Sequence, residues 1–123
     1  ALLDMELHNL TDTENLNVVA FEKETMDKLG LIPEIAPRYR ATYFSHIIGG
    51  YAAGYYSYLW AEVLDTDAFE AFKEHGVFDK NTADSFRKNI LEKGGTEDPM
   101  TLYRGFRGAD PSLEPLLKNR GLK

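Results

Sequence analysis

The sequence predicts an all-α fold, and three observations carry that expectation. Strand-like alternation of apolar and polar residues is nearly absent. Helix punctuation recurs along the chain: Asn and Asp where a first turn needs a cap, Pro just inside it, Gly just past the last turn. The composition is that of a packed globular protein, with 43% hydrophobic and 28% charged residues over 123 positions. This length fits one domain or part of one, and a core that buries roughly two-thirds of the unfolded surface. Five to seven helices joined by irregular Pro/Gly loops are expected, in a single helical region over residues 1–123.

The opening "ALLDMELHNL" places Leu2, Leu3, Leu7 and Leu10 at helical spacing with no capping residue before them. The chain is therefore read as starting inside a helix, as a fragment of something longer. Its first helix is expected to expose Leu3 and Leu7, and the truncated face to promote self-association. Asn15 or Asn17 then caps a helix to about Leu29, with Gly30 as its stop. Pro33 and Pro37 hold an irregular connection. A short segment from Tyr43 to Ile48 leads into Gly49 and Gly50, and a helix is expected from about Tyr51 to Leu64. Asp65 or Thr66 starts the next, which ends at Gly76. Lys80 to Lys93 reads as another, begun near Asn81 or Thr82 and stopped by Gly94-Gly95. Asp98-Pro99 opens a helix to about Arg107, and Asp110-Pro111 repeats the signal for a last helix ended by Gly121.

A net charge of −6 argues against nucleic acid and anionic membranes as partners, because both attract basic surfaces. The absence of cysteine removes disulfides, thiolate zinc sites and cysteine nucleophiles together. No stretch approaches the ~20 apolar residues of a membrane span. A cytoplasmic location is expected, or a periplasmic one if a longer parent carried a signal peptide.

Residues 43–60, "YFSHIIGGYAAGYYSYLW", hold five of the seven tyrosines, the one tryptophan and one of the three histidines. On a helix, Tyr51, Tyr55, Tyr58 and Glu62 fall on one stripe, and Tyr56, Leu59, Trp60 and Val63 on a neighbouring one. The second stripe makes a core face. The first sets three phenols side by side. A phenol stays protonated at neutral pH and can donate a hydrogen bond to an oxyanion as it forms. His46 can do the same or hold a carbonyl. Gly49 and Gly50 permit left-handed backbone and close approach to a ligand, as in a hinged lid. Aromatic residues at helical spacing are also the ordinary material of a core, with tyrosine keeping its hydroxyl wet.

The elements His-x-x-Gly-Gly-Tyr (46–51) and Tyr-Tyr-x-Tyr-Leu-Trp (55–60) resemble the C-terminal segment of the thimet oligopeptidase family of zinc metallopeptidases. The likeness extends through "ALLDMELHNL", "VVAFEKE", "PRYRATYFSHI" and "LYRGFRGADPSLEPLLKNRGL", so it covers nearly the whole chain. Ala52, Ala53 and Gly54 look most like the bacterial peptidyl-dipeptidase branch. The resemblance implies a larger, mostly helical zincin-like enzyme that hydrolyses short peptides. It implies that Tyr58, supported by Tyr55, donates to the tetrahedral intermediate. It implies that His46 and Tyr51 contact substrate and that Gly49 and Gly50 belong to a mobile loop over the cleft. Zinc is implied for the full-length parent, held by a His-Glu-x-x-His helix. No such motif occurs here: His8, His46 and His75 are each followed by a residue other than glutamate. No metal is expected on this fragment, which would pair with a missing N-terminal part and by itself not hydrolyse peptides.

The competing reading is a stand-alone all-α peptide- or protein-binding module with no catalysis. Other features carry less. His8 with Glu6 and His75 with Glu74 lack the geometry of a dedicated metal site. Arg38 and Arg40 flank Tyr39 and suit a salt bridge or a peptide carboxylate. The acidic run from Glu62 to Asp67 reads as a solvated helix end.

Overall fold

The computed structural model describes residues 1–123 and is all helical, with six α-helices, two 3-10 turns, one π-helical turn and no strand. The chain divides into two compact units, residues 1–58 and 59–123.

In the first unit, α1 (Leu2–His8) packs on α2 (Val18–Lys28). Of the two candidate caps for α2, Asn17 is the one used. Its side-chain oxygen accepts from the Ala20 amide at 3.0 Å, which fills one of the donors that a first turn leaves free. Gly30 follows the last turn at φ +69°, the left-handed stop that glycine adopts freely. The Pro33–Pro37 stretch contains no regular structure, as expected. Two 3-10 turns follow, Ala41–Tyr43 and Ser45–Ile48.

The helix expected from Tyr51 does not begin there. Residues 49–56 form successive turns, with bonds from Ala52 N to Gly49 O (3.1 Å) and from Gly54 N to Tyr51 O (2.9 Å). Ala53 is left-handed at φ +54°, which a right-handed helix cannot contain. The Tyr55 amide, which a helix from Tyr51 would direct to the Tyr51 carbonyl, goes to the Asp4 carboxylate instead. Leu3 is also buried, against the expectation that it would be exposed, and Leu7 is half-buried. The apolar residues that α1 exposes are Leu2 and Met5.

The second correction lies in α3 (Ser57–His75), a single helix that runs through the break expected at Asp65 and Thr66. The Thr66 hydroxyl does not cap a new first turn. It donates backwards to the Glu62 carbonyl at 2.7 Å, a bond that the interior of a helix accommodates. The acidic run is therefore mid-helix: Glu62 pairs with Arg120, and Asp67 is buried beneath Tyr103. The core stripe expected of Tyr56, Leu59, Trp60 and Val63 reduces to Val63. The other three are about half exposed, and Trp60 lines an apolar cavity of about 790 Å³ with Phe69, Phe72 and Met100.

α4 (Lys80–Phe86) starts beside Asn81 and Thr82 as expected and is capped by Asp79, which accepts from the Thr82 amide at 2.7 Å. It runs into a π-helical turn at Arg87–Leu91 that packs on α5 (Pro99–Arg107). At that contact a Cβ on Gly105 would lie 3.2 Å from the Asn89 side-chain oxygen, tighter than ordinary packing. α5 starts as expected, with Asp98 accepting from the Thr101 amide at 2.9 Å and Pro99 in the first turn. The last helix, α6 (Glu114–Asn119), starts later than Asp110-Pro111 predicts, because Asp110 pairs with Arg104 at 2.5 Å. Phe72, Phe86 and Phe106 pack ring to ring, and Val63, Ala68, Ala71, Leu102 and Leu116 are buried in the same unit.

Candidate active-site face

The tyrosines meet although the helix expected to align them is absent. Tyr51 stacks on Tyr58 with ring centroids 5.3 Å apart at 24°, and Tyr55 lies 5.1 Å from Tyr58. His46 joins them at 5.3 Å from Tyr55 and 6.1 Å from Tyr51. Four of the six expected residues thus form one aromatic face. Tyr51 and Tyr58 are exposed, while Tyr55 and His46 are half-buried. The three tyrosines come together by a path other than the expected stripe: turns fold Tyr51 back onto the first turn of α3.

Behind this face stand two residues outside the expected set. Tyr39 lies 4.8 Å from His46 and 6.1 Å from Tyr55, and the buried Phe44 meets the Tyr55 ring edge-on at 4.9 Å. Edge-to-face packing of this kind fixes ring direction as well as burying area. The Nδ1 atom of His46 is buried without a hydrogen-bond partner, so this nitrogen is a polar group held ready for one. Hydrogen bonding with Tyr51 pushes the Tyr58 phenol above its ordinary value, with partial desolvation adding to it. Tyr58 is consequently a protonated donor throughout the neutral range.

Gly49 and Gly50 are exposed and next to this face, but neither has positive φ, and a Cβ at either would meet nothing within 4 Å. The left-handed backbone expected of them falls to Ala53. Arg40 follows the salt-bridge expectation, its Nε donating to Glu22 at 2.6 Å, whereas Arg38 does not and lies over the Tyr39 ring at 5.6 Å.

Two carboxylates that sequence reasoning passed over hold the segment in place. Glu22 accepts from Arg40 and from the Ala41 amide at 2.7 Å, which anchors the first 3-10 turn to α2. Asp4 accepts from the Ala53 amide at 2.9 Å and the Tyr55 amide at 3.0 Å. The only signal for Asp4 was its place one turn before His8, whose Nδ1 lies 3.0 Å from the Asp4 carboxylate.

A family model described as peptidase family M3 matches residues 1–122. The chain belongs to peptidase family M3. It is 43% identical over 123 residues to oligopeptidase A of Haemophilus influenzae, covering 98% of this chain and 18% of that protein. It is 44% identical over 129 residues to dipeptidyl carboxypeptidase of Escherichia coli, covering 99% of this chain and 18% of that one. Oligopeptidase A of Escherichia coli is 57% identical over 81 residues, covering 65% of this chain and 12% of that protein. The chain spans less than a fifth of the length of the curated relatives it matches.

The resemblance to the oligopeptidase family is thus met at the level of the family. The residues of this M3 chain do not fit a zinc site. No three His, Asp or Glu side chains converge on one point. His8 and His75 each turn Nδ1 to a backbone carbonyl of their own helix, Asp4 at 2.8 Å and Ala71 at 2.9 Å, and His46 sits among rings.

Proposed function

We propose that this chain is the substrate-facing, C-terminal part of the catalytic region of a zinc metallopeptidase that hydrolyses short peptides, as a peptidyl-dipeptidase or oligopeptidase. The observation that carries this reading is the aromatic face where the exposed Tyr51 and Tyr58 and the half-buried Tyr55 and His46 lie with ring centroids about 5–6 Å apart. Phenols grouped in this way can direct more than one O–H at a single oxygen. In the reading, Tyr58 and Tyr55 donate to the carbonyl oxygen of the scissile peptide as it gains charge. Tyr51 and His46 bind the peptide beside it, and Gly49 and Gly50 border the cleft. In this reading zinc and its ligands belong to the rest of the protein, and short peptides and that remaining part are the partners. The relatives' names, oligopeptidase A and dipeptidyl carboxypeptidase, support peptide substrates. A relative called probable cytosolic oligopeptidase A supports a cytoplasmic location, and no helix here is long and apolar enough to cross a membrane.

The test is Tyr58→Phe in the whole peptidase. It removes one oxygen and keeps the ring, so the stacking on Tyr51 survives. Loss of one oxyanion donor typically lowers kcat about 10²–10³-fold. Because the loss falls on the transition state, kcat and kcat/KM should fall together with KM nearly constant. Tyr56→Phe is the control, since Tyr56 makes no ring contact within the face, and should change kcat much less. Equal small effects from both substitutions would leave the non-catalytic binding module as the better reading.

A further inference from the structure

Asp4 is 0% exposed, and it is the one side chain of the molecule so fully enclosed. A carboxylate without water is costly unless its lone pairs are filled. Both of its oxygens are used. Oδ1 accepts from the Ala53 amide and faces His8 Nδ1, and Oδ2 accepts from the Tyr55 amide. The two amides lie 49 and 51 residues along the chain from Asp4, so this is not a local cap. They also flank the strain in the loop: Ala53 holds φ at +54° without being a glycine. A right-handed Ala53 would join residues 51–56 to α3 and return Tyr51 and Tyr55 to a helical stripe. Tyr51 would then no longer stack on Tyr58, seven residues on.

We propose that Asp4 is a positioning residue: its buried carboxylate holds the Ala53–Tyr55 backbone in the left-handed turn that sets Tyr51 and Tyr55 against Tyr58. The Asp4 carboxylate bonds to backbone amides and to none of the three hydroxyls, so it acts on the rings through the backbone. The proposal rests on the reading of Tyr55 and Tyr58 as oxyanion donors for its kinetic consequence, but not for its structural one.

The experiment has two arms. The first is amide hydrogen exchange in the whole peptidase. Ala53 and Tyr55 should exchange slowly although they lie in a loop. Asp4→Asn keeps the size of the side chain but turns an N–H₂ group towards donors, so exchange at these two amides should accelerate at least tenfold. The second arm is kinetic, in the whole peptidase. Asp4→Asn should lower kcat about 10–100-fold with KM changed less than about threefold, the size of effect that a displaced catalytic group produces. The double variant Asp4→Asn/Tyr55→Phe should be no slower than Tyr55→Phe alone, within about threefold, because the donor that Asp4 positions is already gone. A merely structural Asp4 would multiply the two losses, and that result would overturn the proposal. If Tyr58→Phe alone leaves kcat intact, the donor reading falls, and exchange still decides: unchanged exchange in Asp4→Asn overturns the positioning role and accelerated exchange upholds it. Should Asp4→Asn fail to fold, the unsubstituted chain decides alone, since fast exchange at Ala53 and Tyr55 would refute the bonds on which the proposal stands.

Discussion

Residues 1–58 and 59–123 use the same helical vocabulary but are fixed by different forces. In the first, short helices are outnumbered by turns, and the turns are pinned by carboxylates that reach across the sequence to backbone amides: Glu22 to Ala41, and Asp4 to Ala53 and Tyr55. In the second, helices are closed by adjacent caps, Asp79 and Asp98, and packed through Phe72, Phe86 and Phe106. The contrast separates two tasks. Helix packing makes a scaffold from local rules. A face of polar aromatics at the end of a loop needs its backbone held at specific points, and a buried carboxylate does so because it accepts from several amides at once.

The largest effect expected from this contrast falls on Glu22. It is buried, and it holds Arg40 and the Ala41 amide together. Glu22→Ala leaves the amide without its partner and the guanidinium half-exposed. Hydrogen bonds to a charged group are worth roughly 1.5–3 kcal/mol each, and the exposure of Arg40 discounts its share, so a loss of about 2–3 kcal/mol is expected. Urea unfolding followed by circular dichroism measures it. A loss below about 0.5 kcal/mol would mean that the turn holds itself.

The second unit has its own buried carboxylate, and the comparison sharpens there. Asp67 accepts from the Tyr103 hydroxyl at 2.6 Å, with Arg107 Nε farther off at 3.5 Å. Burial first, and then the bond to Asp67, push the Tyr103 phenol well above its ordinary value, so it remains a donor. This pair joins two side chains on packed helices and holds no loop. Tyr103→Phe should cost about 1–2 kcal/mol, less than Glu22→Ala, because one bond is lost and Arg107 is near enough to take up part of the charge. A larger loss than that of Glu22→Ala would reverse the assignment of which unit depends more on its carboxylates.

What was legible in the sequence follows the same division. The caps Asn17 and Asp98 and the stops Gly30 and Gly121 were readable because each acts on residues within one turn of itself. The grouping of Tyr51, Tyr55 and Tyr58 was readable as a constellation, although its geometry was misassigned. Asp4 was not readable, since its partners lie about fifty residues away and are amides, which every residue carries. The left-handed Ala53 was equally hidden: the sequence offers Gly49 and Gly50 for such a conformation, and the chain uses an alanine that Asp4 secures. Thr66 misled for a related reason, because a hydroxyl that can cap a following turn can also bond the preceding one, and only the continuity of α3 decides which.

The smallest effect expected is the acid sensitivity of the second unit's caps. The Asp79 carboxyl is held below its ordinary value of 3.8 by the Thr82 amide, then by the Thr82 side chain. The Thr101 amide and side chain do the same for Asp98. A group whose folded pKa is depressed binds fewer protons folded than unfolded. The stability it contributes is therefore complete above the unfolded value and is lost as pH falls through the folded one. The window lies below about pH 4. Glu74, Asp84 and Asp110, depressed by Arg107, Lys80 and Arg104, lose stability with the same sign there, so total acid sensitivity cannot isolate the caps. Asparagine can, because it caps a first turn about as well as aspartate and does not titrate. Asp79→Asn/Asp98→Asn should match the parent chain near pH 7 and lose less of its stability between pH 5 and pH 2, measured as the urea midpoint by circular dichroism. Identical acid profiles would mean that the two carboxylates hold α4 and α5 by shape alone, and that the charge on a cap adjacent in sequence adds nothing to the second unit.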